Sequence, residues 1–109
     1  GRGGALMAGA YVTDQSLVNV RAELFGIARM ISGHSHVTLA VPERSYPSDL
    51  ASALAHLCPQ LVGPVITDDG SELHSSYIFN INGTSFLGNN GVRLTPDDTV
   101  LLFSSQAGG

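Results

Sequence analysis

Residues 77–109 have the sequence YIFNINGTSFLGNNGVRLTPDDTVLLFSSQAGG, and this stretch says most about the fold. Residues 77–81 are a short apolar strand. The pair Asn82-Gly83 comes next and is a strong short-range signal for a hairpin turn. Residues 84–87 then return as the second strand. The sequence therefore predicts an antiparallel hairpin here.

The end of this stretch predicts a further strand and a tail. Residues 95–98, Thr-Pro-Asp-Asp, suit a type I turn with Pro at its second position. Residues 99–103 are apolar at nearly every position, which is typical of a central strand covered on both faces. Residues 104–109 form a polar tail that ends in Gly108-Gly109.

Two earlier segments alternate between apolar and polar residues. Residues 17–25 and residues 34–41 show the period of two that marks half-buried strands. Residues 26–32 between them have helical spacing over one or two turns. We therefore expect the two strands to pair with each other.

One longer helix is predicted after these strands. Pro47 suits a first helical position, and an apolar stripe follows at helical spacing. Pro59 disfavours the helical conformation at Cys58, so the helix should end there. The stripe consists of Leu50, Leu54, Leu57 and Leu61.

A polar, turn-rich segment, residues 62–76, separates this helix from the closing hairpin, and within it Val65 and Ile66 are expected to pack locally.

The elements together predict an α+β fold, in which a mixed sheet of four to five strands packs on one main helix. We expect a flexible lead-in over residues 1–16, with Met7 as a candidate native start, one domain over residues 17–103 and the tail over residues 104–109.

Composition limits the class of function. The 109 residues carry a net charge of −4 and contain five arginines and no lysine. Nucleic-acid binders usually show a basic footprint, so neither nucleic acid nor an anionic membrane surface is an expected partner. No apolar run is long enough for a transmembrane helix. A cytoplasmic location is the expectation.

The terminal glycines are the feature that carries chemistry. Glycine has no Cβ, so Gly108-Gly109 can pass through a channel too narrow for side chains. Extended, residues 104–109 reach about 20 Å, far enough to enter a partner's active site. A carboxylate becomes an electrophile once ATP adenylates it, and sulfide would then convert the acyl-adenylate to a thiocarboxylate.

The sequence resembles the ubiquitin-like sulfur carriers. VNVRAELFGIARMISG is similar to the opening strand and helical turn of the molybdopterin synthase small subunit, and the closing stretch quoted above is similar to that family's end. The thiazole-pathway and cysteine-pathway carriers share the closing pattern. The resemblance covers residues 18–109 in element order and implies a β-grasp fold.

The resemblance also implies partners and site residues. An E1-like adenylyltransferase would use ATP to activate Gly109, which would bear the thiocarboxylate beside Gly108. The protein itself would bind no cofactor and would be a cosubstrate, not an enzyme. The molybdopterin synthase large subunit, or an equivalent enzyme, would accept the sulfur. Family members often have prolines before the tail's end, whereas this chain has Ser104-Ser105-Gln106-Ala107.

A docking surface follows from the alternation of the last strand. If Val100 and Leu102 face the helix, Leu101 and Phe103 face the other side of the sheet, where ubiquitin-like proteins dock partners. We therefore expect Leu101 and Phe103 to bind the partner together with Ser105, Gln106 and Ala107 of the tail. The alternative is that residues 1–16 or 62–76 cover them.

Other reactive side chains have simpler interpretations. Cys58 ends an apolar stripe and is expected in the core. The four histidines lack a cluster of acid or thiol ligands, so no metal site is expected. Two other functions stay open: a protein modifier joined to target lysines, and a plain interaction module with incidental glycines.

Overall fold

A mixed sheet with one main helix packed on it forms the centre of the computed structural model, which describes residues 16–105. The strands are β1 (Leu17–Leu24), β2 (His36–Pro42), β3 (Arg44–Ser45), β4 (Tyr77–Ile81), β5 (Ser85–Phe86), β6 (Val92–Arg93) and β7 (Thr99–Ser104), and the helices are α1 (Gly26–Ser32) and α2 (Pro47–Leu57), with a 3₁₀ turn at Pro59–Leu61.

The five strands lie in the order β2-β1-β7-β4-β5. The first two strands of the chain pair antiparallel, as predicted, and β4 and β5 form the predicted closing hairpin. The last strand, β7, is central: it runs parallel to β1, with Ala22 beside Val100, and antiparallel to β4, with Phe79 beside Leu102. The predicted mixed sheet is confirmed.

The turn of the closing hairpin has the backbone that its sequence demands. Asn82 and Gly83 both have positive φ, 58° and 75°, as the favoured hairpin turns require. The loop is nevertheless three residues long, because Ile81 pairs with Ser85. The Asn82 side chain also joins this turn to the one before β7: its amide donates to Asp98 Oδ1 at 2.9 Å. That bond is the main reason that the pKa of Asp98 is lowered. The two turns thus align β4 with β7.

Alternate residues of the strands point to α2 and form the core. Val100 and Leu102 of β7 are 0% and 2% exposed. Val65 and Ile66 are fully buried in the same cluster. These two residues were predicted to pack locally, and the structure places them in the main core. Residues 62–76 therefore supply core side chains as well as turns.

The main helix begins and ends where its prolines predicted. Pro47 is its first residue, and the Tyr46 N–H donates to Asp49 Oδ2 at 2.8 Å. The predicted stripe is wrong at Leu57, which is 51% exposed. The buried helical residues are Leu50, Ala51 and Leu54, so the buried face is rotated toward Ala51, and Leu57 lies at its margin.

The short helix α1 is confirmed, but it buries small side chains. Ala28 and Ser32 face the protein, whereas Ile27 and Met30 are 48% and 76% exposed. Ile27 and Met30 therefore contribute to the surface, whereas Ile31 packs partly buried against the core.

A second, two-stranded sheet was not predicted. The strands β3 and β6 pair antiparallel, with Arg44 opposite Arg93. Each has two residues, too few to show any periodicity in the sequence. Among residues 16–105, no helix is both long and apolar enough to cross a membrane.

Candidate functional site

The place where the C-terminal tail leaves the domain is fixed by hydrogen bonds. Ser104 is still part of β7, although the tail was predicted to begin there. The Ser105 N–H donates to the carbonyl of Ser76 at 2.7 Å, and its Oγ donates to the carbonyl of Ser75 at 3.1 Å. The chain is therefore held to the domain through Ser105.

The other predicted tail residues lie outside the described part of the chain. These are Gln106, Ala107, Gly108 and Gly109. The structure does give the position of Ser105, the residue that precedes them.

Leu101 and Phe103 point away from the core, as predicted, and are partly exposed. They are not as well covered as their strand's apolar sequence suggested. The strand is central, as predicted, but no second layer of described residues buries its outer side. Because β7 has one packed and one open face, the prediction of coverage on both faces is wrong.

The strand register adds further apolar residues to this face. Ile78 of β4 lies opposite Phe103, and Asn80 lies opposite both Leu101 and Phe86. Residues that lie opposite each other share a face of the sheet. Phe25, which follows β1 in the chain, lies beside these residues. We call the apolar residues of this face the outer patch: Phe25, Ile78, Phe86, Leu101 and Phe103.

An aromatic stack supports the outer patch. The rings of Phe25 and Phe103 lie parallel, with centroids 5.3 Å apart and an interplanar angle of 6°. Phe25 and Phe86 remain 41% and 63% exposed. A shallow groove of about 430 Å³ runs along Ile78, Phe86 and Phe103 to Ser104 and Ser105. The patch and the exit of the tail are therefore one continuous surface.

Sequence reasoning missed three members of the outer patch. Phe25 lies far along the chain from the hairpin that carries Ile78 and Phe86. The Asn82-Gly83 signal would have placed Phe86 on the wrong face, because a two-residue loop pairs it with Phe79, whereas the structure pairs it with Asn80. The sequence holds no signal for the position of Phe25.

Comparison with known proteins supports the fold. The chain matches no family model, and no curated protein matches it significantly. Solved structures do match. The crystal structure of SAMP1 from Haloferax volcanii is 25% identical, with a TM-score of 0.67, and the match covers 84% of this chain and 99% of that one.

The chain has the ubiquitin-like β-grasp fold. A solution structure of small archaeal modifier protein 1 from Methanosarcina acetivorans is 24% identical, with a TM-score of 0.65, and covers 85% of this chain and 98% of that one. The Haloferax volcanii protein HVO 2177 is 20% identical, with a TM-score of 0.61 over 86% of this chain and 89% of that one. The predicted resemblance to the ubiquitin-like family is therefore confirmed for the fold.

The single cysteine of this ubiquitin-like protein lies in the core. Cys58 is 2% exposed, and burial raises the pKa of its thiol. A raised pKa disfavours the thiolate, which is the nucleophilic form. The predicted core role of Cys58 is confirmed.

The histidines of the domain are dispersed. His74 Nε2 lies 2.8 Å from the carbonyl oxygen of Gly63, and His36 Nδ1 lies 3.3 Å from Ser35 Oγ. Within the part of the chain that the structure describes, no three His, Cys, Asp or Glu side chains come together as metal ligands.

Proposed function

We propose that this ubiquitin-like protein is a sulfur carrier, activated at Gly109 by an E1-like adenylyltransferase. The observation that carries the proposal is the continuity of the outer patch with the exit of the tail. A partner seated on Phe103 would lie next to Ser105, from which the last four residues can extend about 13 Å. Docking and insertion of the tail can then occur together.

The proposed chemistry proceeds in two balanced steps. A Gly109 carboxylate oxygen attacks the α-phosphorus of ATP, and pyrophosphate leaves. Hydrosulfide then adds to the carbonyl carbon of the acyl-adenylate, AMP leaves, and a proton is lost. The product is a thiocarboxylate, a nucleophile at neutral pH. Gly108, Ala107 and Gln106 would line the partner's channel.

The acceptor we propose is the molybdopterin synthase large subunit, with this chain as its non-catalytic small subunit. This rests on the similarity of the opening and closing sequences to that subunit. Carriers for thiamine and cysteine biosynthesis are variants of the same function. In each case the chain is a cosubstrate that works with ATP in the cytoplasm.

A protein modifier is the second candidate function. It is favoured by the solved structures that match this fold, since they are of small archaeal modifier proteins. In this function a target lysine, in place of hydrosulfide, attacks the activated carbonyl. The chain has no lysine, so it could not form lysine-linked chains of itself.

Intact mass spectrometry tests the proposal. The chain would be incubated with the E1-like enzyme of its own organism, ATP and sulfide. We expect a C-terminal mass increase equal to the replacement of one oxygen by sulfur. Transfer to lysines of added cell protein, stable to thiols, would instead support the modifier. An unchanged mass, with an enzyme that is active on another carrier, would reject both.

Replacing Phe103 by Ser should weaken docking of the activating enzyme. The change removes a half-buried ring from the outer patch and its stack on Phe25, so we expect KM for adenylation to rise about tenfold, in line with the loss of an aromatic anchor. The readout is ATP–pyrophosphate exchange at varied carrier concentration.

The matched control is Leu57→Ser. Leu57 is also an exposed apolar residue, 51% exposed, but it belongs to the helix layer. We expect its KM to stay at the wild-type value. A folded Phe103→Ser protein with unchanged KM would show that the enzyme does not use the outer patch.

A further inference from the structure

One polar atom in the outer face of the sheet has no partner. Asn80 is 5% exposed, and its Oδ1 is fully buried without a hydrogen bond from any described residue. Its neighbours Phe79 and Ile81 are core residues. Because side chains alternate along a strand, Asn80 faces the outer patch.

The surroundings of Asn80 are apolar. It lies opposite Leu101 on one side and Phe86 on the other. The turn also approaches, since a side chain at Gly83 would lie 3.8 Å from Leu101 Cδ1. An apolar residue would fit such a position without penalty, whereas a buried, unpaired carbonyl shifts the folding equilibrium toward the unfolded chain by about tenfold or more. The unpaired Asn80 oxygen thus lowers the stability of the domain, and no contact among the described residues offsets this loss.

We propose that Asn80 Oδ1 accepts a hydrogen bond from an arginine side chain of the E1-like adenylyltransferase when that enzyme docks on the outer patch. This deepens the proposed function and rests on it. Asn80 is then a specificity-determining residue of the interface, because only a partner that brings a donor to this point offsets the burial of the amide.

Two further features favour a guanidinium as the donor. The rings of Phe86 and Phe103 border the groove, and a planar guanidinium stacks on aromatic faces while its N–H groups donate. The chain also has a net charge of −4, which attracts a cationic partner.

Access to the buried oxygen requires one neighbour to move. Phe86 is 63% exposed and belongs to a strand of only two residues. Because most of its surface is exposed, the ring can turn aside at less cost than Leu101, which belongs to the central strand. Phe86 then covers Asn80 in the free protein and packs on the arginine in the complex.

The test compares Asn80→Leu, Asn80→Val and a matched control, Asn19→Leu. Asn19 is an exposed asparagine of β1, which pairs with β2 on one side and, from Arg21 onward, with β7 on the other. Each protein is measured by thermal unfolding, by binding to the E1-like enzyme of the same organism in titration calorimetry, and by kcat and KM for ATP–pyrophosphate exchange.

We expect opposite effects on stability and binding. Asn80→Leu or Asn80→Val should raise Tm by about 5 °C or more, since the unpaired acceptor is removed. Affinity for the enzyme should fall about tenfold or more, because the enzyme's donor is left unpaired in the interface. The loss should appear in KM with kcat unchanged, and Asn19→Leu should match the wild type.

Three results would overturn the inference. A fall in Tm for both Asn80 variants would mean that the amide is satisfied in the free protein. Unchanged affinity would mean that no donor reaches it. A loss in kcat alone would place the effect away from docking. If the wild-type chain binds the enzyme without being adenylated, the proposed function fails, while the affinity measurements still decide the role of Asn80.

Discussion

Removal of Gly109 is expected to lower the rate of adenylation by about a hundredfold or more. The deletion leaves a carboxylate on Gly108, about 3.5 Å short of its former position along an extended chain. Since Ser105 is hydrogen-bonded to Ser75 and Ser76, β7 cannot release further residues to lengthen the tail without losing those bonds. A misplacement of even 1 Å at a reacting group can cost about a hundredfold in rate.

The measurement is ATP–pyrophosphate exchange at saturating carrier, with intact mass after addition of sulfide. The matched control is deletion of Gly1, which also removes one terminal glycine and should leave both readouts unchanged. The Gly109 deletion should keep the wild-type Tm. Full activity of the shortened chain would show that Gly109 is not the site of activation.

Replacing Leu102 by Ala is expected to destabilise the domain by about 2–5 kcal/mol, the range for a fully buried leucine. Leu102 is 2% exposed and lies in the central strand, beside Leu24 of β1 and Phe79 of β4. Hydrogen-bonded partners on both sides hold the backbone there, so the core cannot collapse into the cavity. Urea unfolding followed by circular dichroism gives the change in free energy of unfolding.

Leu101→Ala is the matched comparison, because the residue and the strand are the same and only the face differs. Leu101 is partly exposed on the outer face, so its truncation should cost less than about 1 kcal/mol. Equal losses for the two variants would mean that both faces of β7 are packed alike, contrary to the described structure.

The sequence predicted the parts of the fold that depend on residues adjacent in the chain. Alternation along residues 17–25 and 34–41, and the turn at Asn82-Gly83, are local signals, and the elements built on them are confirmed. Pro47 and Pro59 bounded the main helix for an equally local reason, since proline restricts its own backbone and that of the residue before it.

The errors arose where burial depends on neighbours distant in the chain. Leu57 has the right spacing for the helical stripe, yet the buried face of α2 turns toward Ala51, and this rotation is set by the sheet. The apolar run of residues 99–103 correctly indicated a central strand. An apolar run does not indicate which face of the strand is covered by another layer.

The candidate site likewise combines residues that the sequence predicted with residues that only the structure revealed. Leu101, Phe103 and the tail residues were predicted from the sequence, the first two from alternation and the others from their position after the last strand. The structure places the first two on an open face beside the exit of the tail. It also adds Asn80, whose unpaired oxygen no sequence pattern could reveal.

By itself the sequence determined the two helices, the strands of the main sheet, the position of the hairpin turn and the glycine-ended tail, because each depends on the conformational preferences of adjacent residues. Only the tertiary structure decided that Phe25 stacks on Phe103 and that Ile78 and Phe86 join them. Parallel pairing of β1 with β7 brings Phe25 to Phe103, and antiparallel pairing of β4 with β7 and β5 adds Ile78 and Phe86. Periodicity within one strand carries no information about its partner. The outer patch beside Ser105 is a product of these strand pairings.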